Sequence, residues 1–289
     1  LQSLVSISEE MGYATSFFHG APNGSMGLLG FSQVLGFDAY YGKNEYNNDA
    51  DFDGIWGIWD EPFFQFMQQQ LSAESNPFLT AVFSVSSHAP FQIPEKYEGK
   101  FKEGYVLMHK CVQYTDYAIE QFMASSKNEP WFENTLFVFT ADHGNQSHYD
   151  FYQQTINRFA TPVMFYAPNK SWGEERQDLA QHMDIMPTVA HLMGYEKPIR
   201  SWGRSLVGNE DSSLVVNYFG AGTYFFMNEE YICIYNGLEA IGFYSKEDYG
   251  LEDNLIEFRS SAMRALEEKG KAYLQDYNNR IVKGALEAN

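Results

Sequence analysis

Three stretches of this sequence run from an apolar segment into a polar tip that carries a histidine. They are Phe17-Phe18-His19-Gly20, Val85-Ser86-Ser87-His88 and Ala141-Asp142-His143-Gly144. In an open α/β sheet, ligands sit beyond the carboxyl ends of the strands. A histidine at three such ends therefore points to one shared site, where any one alone would read as structural or exposed. Asp142 and His143 offer a carboxylate oxygen and an imidazole nitrogen, the donor types that hold Zn²⁺ or Mn²⁺. Gly144 lets the backbone turn sharply behind them. A catalytic metal usually takes at least three protein ligands, and this pair supplies two. The competing assignment is structural: Asp142 caps the next helix or turn, and His143 hydrogen-bonds to it.

Other polar residues carry weaker signals. His148 lies in the polar run NQSHYD and reads as an exposed loop residue, with entry into the site as the alternative. In HMDIMPTVAHLMG, Asp184 is placed to cap a helix, and His182 stays open between roles. His109 and His191 fall inside helical patterns and read as packing or surface residues. Arg158 and Arg204 can neutralise an anionic substrate, although surface ion pairs are the commoner fate of an arginine. Asp49, Asp51 and Asp53 alternate within GKNEYNNDADFDG, but the later Glu of an EF-hand loop is absent, so a solvated loop is expected. Ser25, Ser86, Ser87 and Thr140 are hydroxyls near strand ends.

The elements that must position these residues emerge from apolar patterning. The chain has 289 residues, 44% of them hydrophobic and 20% charged, the composition of an ordinary globular protein. The length allows one large domain, or a large one with a small one. Lys and Arg number 19 against 38 Asp and Glu, for a formal charge of −19. That balance argues against a nucleic-acid partner and against docking on an anionic membrane, and it suits a bound cation. Cys111 and Cys233 exclude a disulfide scaffold and a cysteine zinc site, and read as buried free thiols. No apolar run reaches a membrane span and no signal-peptide pattern opens the chain.

Residues 1–11 read as the end of a helix stopped by Gly12. Strands are expected at 13–19, 37–41, 78–85, 135–141 and 161–167. Helices are expected from Ser25 (as cap) to Leu35, and at 60–71, 105–123 and 184–193. Runs such as FLTAVFSV and TLFVFTA are apolar throughout, as in sheets buried on both faces. Strands alternating with helices predict an α/β core with a mainly parallel sheet and helices on both faces. Beyond about residue 205, short runs at 214–219, 224–226, 231–235 and 240–244 predict an antiparallel meander, closed by a helix at 257–282. The expected division is a core over 1–205 and a small α+β subdomain over 206–289.

The motifs FFHGAPNGSMG, SVSSHAPF, FTADHGN, RFATPVMFYAP and HMDIMPTVAHLMG, in this order, resemble the sulfatase family of the alkaline phosphatase superfamily. The resemblance is nearest to the branch of lipoteichoic acid synthases and membrane phosphoglycerol transferases, and covers residues 1 to about 205. It implies an alkaline-phosphatase-like fold and metal-dependent transfer or hydrolysis of a phosphate or sulfate ester through a covalent intermediate. It assigns Asp142 and His143 as metal ligands, and His88 as a catalytic and substrate-pocket histidine. It assigns His19 to the substrate pocket, and Arg158 stays a substrate-binding candidate from its residue type. The ion it implies is Mn²⁺ first, with Zn²⁺, Mg²⁺ or Ca²⁺ as alternatives.

The implied substrate is a phospholipid headgroup or an anionic glycan, phosphoglycerol-type esters among them. The implied location is an extracytoplasmic domain of a bacterial cytoplasmic-membrane protein. Two departures stand out. The family's nucleophile and a further acidic ligand match nothing in residues 1–18, and none of the hydroxyls above lies in that context. The expectation is therefore a carboxyl-terminal portion of a larger enzyme, with nucleophile and membrane helices upstream of Leu1. The Trp and Arg that the lipoteichoic acid synthases carry after FHG correspond here to Met26 and Leu28, which removes a bidentate phosphate clamp. A reading from another class is a catalytically inactive module that binds an anionic glycan or lipid headgroup.

Overall fold

The computed structural model describes residues 2–173, 175–208 and 214–286. In chain order the regular elements are α1 (Leu4–Glu10), β1 (Ala14–Phe18), α2 (Leu28–Leu35), β2 (Ala39–Tyr41), α3 (Lys43–Tyr46), α4 (Asp60–Ala73), β3 (Phe78–Val82) and α5 (Met108–Ser126). Next come β4 (Phe137–Thr140), α6 (Asp150–Gln153), β5 (Val163–Tyr166), α7 (Ile185–Met193), β6 (Val215–Gly220), β7 (Thr223–Met227), β8 (Tyr231–Tyr235), β9 (Ala240–Ser245) and α8 (Ser261–Lys283). The chain packs as two compact units. The parallel-sheet unit is Ser8–Asp150 with Ala160–Gly173, and the antiparallel-sheet unit is Leu1–Ile7, Phe151–Phe159 and Glu174–Asn289.

In the parallel-sheet unit, β1 lies between β2 and β3 and pairs parallel with both, Phe17 opposite Tyr40 on one side and Ala81 on the other. Parallel neighbours need crossovers, and helices supply them. In α4, Phe63, Phe64, Met67 and Leu71 recur at helical spacing and are buried. In α5, Cys111, Tyr114, Ala118 and Phe122 do the same. These stripes meet Phe18 and Ile58 in one apolar core, so the sheet's central strand is fixed against both helices. At the other end of β1, Asp38 Oδ2 accepts from Thr15 N–H at 2.8 Å and from Thr15 Oγ1 at 2.9 Å.

β4 and β5 form their own two-stranded antiparallel ladder, with Phe137 opposite Tyr166 and Thr140 opposite Val163. Both runs are as apolar as β3, and apolar patterning does not encode pairing direction. β3 also ends at Val82 rather than Val85. The backbone N–H groups of Val85 and Ser86 leave the ladder and turn instead to the carboxylate of Asp60.

Two cap expectations change. Ser25 opens a short 3-10 turn, and α2 starts after left-handed Gly27 with no side-chain cap. Asp184 precedes α7 but caps nothing in it. Its carboxylate accepts from Gln181 N–H at 2.9 Å and from Arg204 N–H at 2.8 Å.

The antiparallel-sheet unit holds the predicted meander, in the order β6-β7-β8-β9. Phe226, Cys233, Tyr235 and Phe243 pack from the sheet against Met263 and Leu266 of α8. Ser260 Oγ caps α8 by accepting from Met263 N–H at 3.2 Å, and left-handed Gly284 ends it. Buried Glu267 is paired with Arg259 and Lys271.

Candidate active site

His19 comes directly after β1 and is 1% exposed. Its Nδ1 lies 2.9 Å from Phe83 O, so Nδ1 carries the proton and donates. Its Nε2 is buried and has no hydrogen-bond partner among the described residues. The ring stacks on Phe83 at 5.3 Å between centroids. Burial lowers the His19 pKa, and the hydrogen bond to Phe83 opposes that only in part. His19 is thus a neutral imidazole whose acceptor nitrogen Nε2 is unpartnered among the described residues.

The segment that carries His88 is tied from behind by a buried carboxylate. Asp60 opens α4, is 1% exposed, and accepts from Val85 N–H at 3.0 Å and from Thr115 Oγ1 at 2.8 Å. Its carboxylate also accepts from Ser86 N–H at 3.3 Å, while its own N–H donates to Ser86 Oγ at 3.0 Å. Burial raises the Asp60 pKa, and these donated hydrogen bonds hold it back. Ser87 Oγ lies 3.0 Å from Thr115 Oγ1, so Ser86 and Ser87 are spent on positioning. His88 itself is exposed at the end of this braced loop. Its ring lies 3.9 Å from the Trp56 ring, tilted by 47°. Asp53, Trp56, Trp59, His88, Pro90 and Gln92 are among the residues lining a small cleft here.

Asp142 and His143 lie just past β4, both largely exposed. Asp142 Oδ1 accepts from His143 N–H at 2.9 Å, and Oδ2 lies 3.4 Å from His143 Nε2. His143 Nδ1 lies 2.7 Å from Gly144 O. The donor types suit a divalent cation, but the pair closes on itself. Among the described residues, no group of three His, Cys, Asp or Glu is arranged to hold a metal ion. The residues described thus supply two donors of the right chemistry and not a complete coordination sphere.

The remaining candidates have local roles. Arg158 belongs to the antiparallel-sheet unit, where its guanidinium lies over the rings of Phe159 and Phe219 at 4.7 and 5.2 Å. Arg204 Nη2 donates to Leu179 O at 3.0 Å. His191 Nδ1 meets Ser205 Oγ at 2.9 Å, and His182 begins the 3-10 turn before α7. His148 stacks face to face on Tyr105 at 4.0 Å, and His109 Nδ1 accepts from Tyr105 N–H at 3.2 Å. Thr140 Oγ1 donates to Pro162 O at 3.0 Å.

The acidic loop is not merely solvated. Asp49 pairs with Lys43, Asp51 accepts from Tyr46 OH at 2.5 Å, and Asp53 Oδ1 takes three backbone N–H groups. Both cysteines are free and buried, and burial lifts the Cys111 thiol to about 11 and the Cys233 thiol to about 12.

Sequence patterning did not single out Asp60, Thr115 or Trp56. An aspartate in a first helical turn reads as a partner of the helix dipole. The available hint was Trp56-Gly57 next to a second tryptophan and an acid, in GIWGIWDE.

The Sulfatase family model matches residues 1–195. The lipoteichoic acid synthase-like protein YvgJ of Bacillus subtilis is 23% identical over 220 residues, 69% of this chain and 35% of its own length. A lipoteichoic acid synthase of Staphylococcus saprophyticus is 23% identical over 235 residues, 74% of this chain and 36% of its own. The chain thus spans about a third of the length of these curated relatives.

Among solved structures, a protein in the alkaline phosphatase superfamily from Vibrio parahaemolyticus superposes with a TM-score of 0.80 at 21% identity, over 99% of this chain and 69% of that one. The lipoteichoic acid synthase LtaP from Listeria monocytogenes gives 0.74 at 20% identity, over 100% of this chain and 74% of that one. At these identities the likeness speaks for the fold: an alkaline-phosphatase-like arrangement of a parallel sheet with helices and a carboxyl-terminal antiparallel sheet.

Proposed function

This chain belongs to the sulfatase family, and from that membership we propose that it forms part of a metal-dependent transferase or hydrolase. Its substrates would be phosphate esters, of the phosphoglycerol type, or sulfate esters of an envelope lipid or glycan. The observation that carries the reading is His19: a buried, neutral imidazole at the carboxyl end of the central strand, with Nε2 unpartnered. A buried polar atom without a partner is costly, and a ligand group relieves that cost.

Each residue then has a task. Asp142 and His143 would contribute two ligands to the divalent ion, Mn²⁺ first among the candidates. When bound, such an ion polarises the ester oxygen and lowers the pKa of a nucleophile. His19 Nε2 accepts a hydrogen bond from a substrate hydroxyl or a protonated oxygen. It does not supply positive charge, because burial keeps the ring neutral. His88, exposed on the loop braced by Asp60, would meet the ester and assist the leaving group.

The nucleophile and the further metal ligands are proposed to lie outside these 289 residues. The chain's third of its relatives' length supports that. We also propose an extracytoplasmic placement of the domain, with the site residues that this chain carries lying within residues 1–205. No helix among the described residues is long and apolar enough to cross a membrane.

The test is turnover of a phosphodiester by the full-length protein carrying Asp142→Asn. Turnover should fall at least about a hundredfold, the scale of losing one transition-state charge contact. Unchanged turnover would overturn the proposal.

A further inference from the structure

Trp56 is held more firmly than a surface indole needs to be. Asp53 Oδ1 accepts the N–H groups of Ile55, Trp56 and Gly57 at 2.8, 2.7 and 3.0 Å, which fixes the turn. Trp56 Nε1 donates to Ala89 O at 2.5 Å, so the ring plane is fixed as well. Behind it, Gly57 abuts the turn just past His19. A Cβ at Gly57 would come within 2.6 Å of Gly20 O. The indole is therefore locked between the His19 turn and the His88 loop, with its ring 3.9 Å from the His88 ring.

The cleft it walls is shallow and open to solvent, so a group bound there would lie against its walls rather than be enclosed. Trp56, Trp59 and Pro90 give it apolar walls, and Asp53 and Gln92 give it hydrogen-bonding side chains. Of its nine lining residues, Asp53 is the acid and none is Lys or Arg. An anion beyond the reacting ester would meet a carboxylate there and no cation to neutralise it. Apolar ring faces beside a carboxylate and an amide suit a group with C–H faces and hydroxyls.

We propose that Trp56 is a specificity-determining residue, whose fixed indole takes the uncharged, hydroxyl-bearing organic part of the ester beside His88. This rests on the reading of the cleft as part of an ester-handling site. It goes further by selecting against esters whose adjoining group is itself anionic. Because the indole is held before any ligand arrives, little side-chain freedom is lost on binding.

The test is an NMR titration of the 289-residue chain with three probes: glycerol 3-phosphate, glucose 1-phosphate and inorganic phosphate. At least one of the two polyol phosphates should bind more tightly than inorganic phosphate. Whichever is tighter distinguishes a glycerol headgroup from a sugar ring as the source. Trp56→Ala should weaken that binding about tenfold, the scale of one aromatic contact. It should leave inorganic phosphate unchanged. Trp56→Phe should stay within about threefold of wild type, and Trp56→Leu, which keeps volume without a ring, should behave like alanine.

Three outcomes overturn the proposal: equal affinity for all three probes, a Trp56→Leu chain that binds polyol phosphates as wild type does, or an equal loss for inorganic phosphate. These affinities are read without turnover. Failure of the proposed chemistry would appear separately, in the Asp142→Asn enzyme.

Discussion

His19 donates from Nδ1 to a backbone carbonyl and keeps a bare, buried Nε2, and this makes its protonation expensive in the folded state. Its folded pKa lies below the unfolded value of 6.5. The unfolded chain therefore binds the proton first as pH falls. Its contribution to stability is fully present above pH 6.5 and is lost as pH drops below 6.5 toward the lowered folded value. We expect the melting temperature of the wild-type chain to fall more steeply from pH 7 to pH 5.5 than that of His19→Gln. Equal slopes in scanning calorimetry would contradict the assignment. Asp60→Ala would leave the Val85 N–H and the Thr115 hydroxyl without their acceptor. Each such buried loss costs about 1–3 kcal/mol, so urea unfolding should show a destabilisation of about 2–6 kcal/mol. A change below about 0.5 kcal/mol would mean that the His88 loop is braced elsewhere. His19, His88, Asp142 and His143 were visible in the sequence because each comes at the end of an apolar run. Asp60 was not, because burial of a helix-opening acid depends on a loop 25 residues further on.

At the scale of elements, close packing reverses an ordinary rule. Gly270 sits in the middle of α8, where alanine normally gains about 1 kcal/mol in helix propensity. Here a Cβ would overlap the ring of Phe226, which packs under the helix from β7. Gly270→Ala should therefore destabilise the chain by about 1–3 kcal/mol, the cost of overpacking, as read by chemical denaturation. A gain in stability would show that α8 can ride outward from the sheet. The helices α4, α5, α7 and α8 and the strands of the meander were legible because their periods and stop residues lie within each segment. The pairing direction of β4 with β5, the early end of β3 and the fate of the Ser25 and Asp184 caps were not. Each depends on a backbone partner supplied by another part of the chain.

For the whole molecule, the formal charge of −19 leaves room for a site for an anionic ester where a cation is held locally. On the proposed assignment, these residues would give the cation two exposed donors and a weak grip. At a concentration equal to its dissociation constant, a ligand adds about 0.4 kcal/mol. For a protein of this size that is about 1–2 °C. We expect 1 mM MnCl₂ to raise the melting temperature of the 289-residue chain by less than about 2 °C. A rise above about 5 °C would mean that a full coordination sphere forms inside this chain.

By itself, the sequence determined the local quantities: which runs are strands and helices, where most of them stop, and which strand ends carry imidazoles and a carboxylate. It also carried the motif order that places the chain in the sulfatase family, since those motifs are contiguous. Tertiary structure alone decided how those residues are buried and partnered. It buried His19 with one nitrogen unpartnered, turned the segment after β3 onto Asp60, closed Asp142 onto His143, and pinned Trp56 beside His88. The physical reason is that hydrogen-bond satisfaction and burial are set by neighbours distant in sequence. Apolar periodicity and turn chemistry are set by neighbours along the chain.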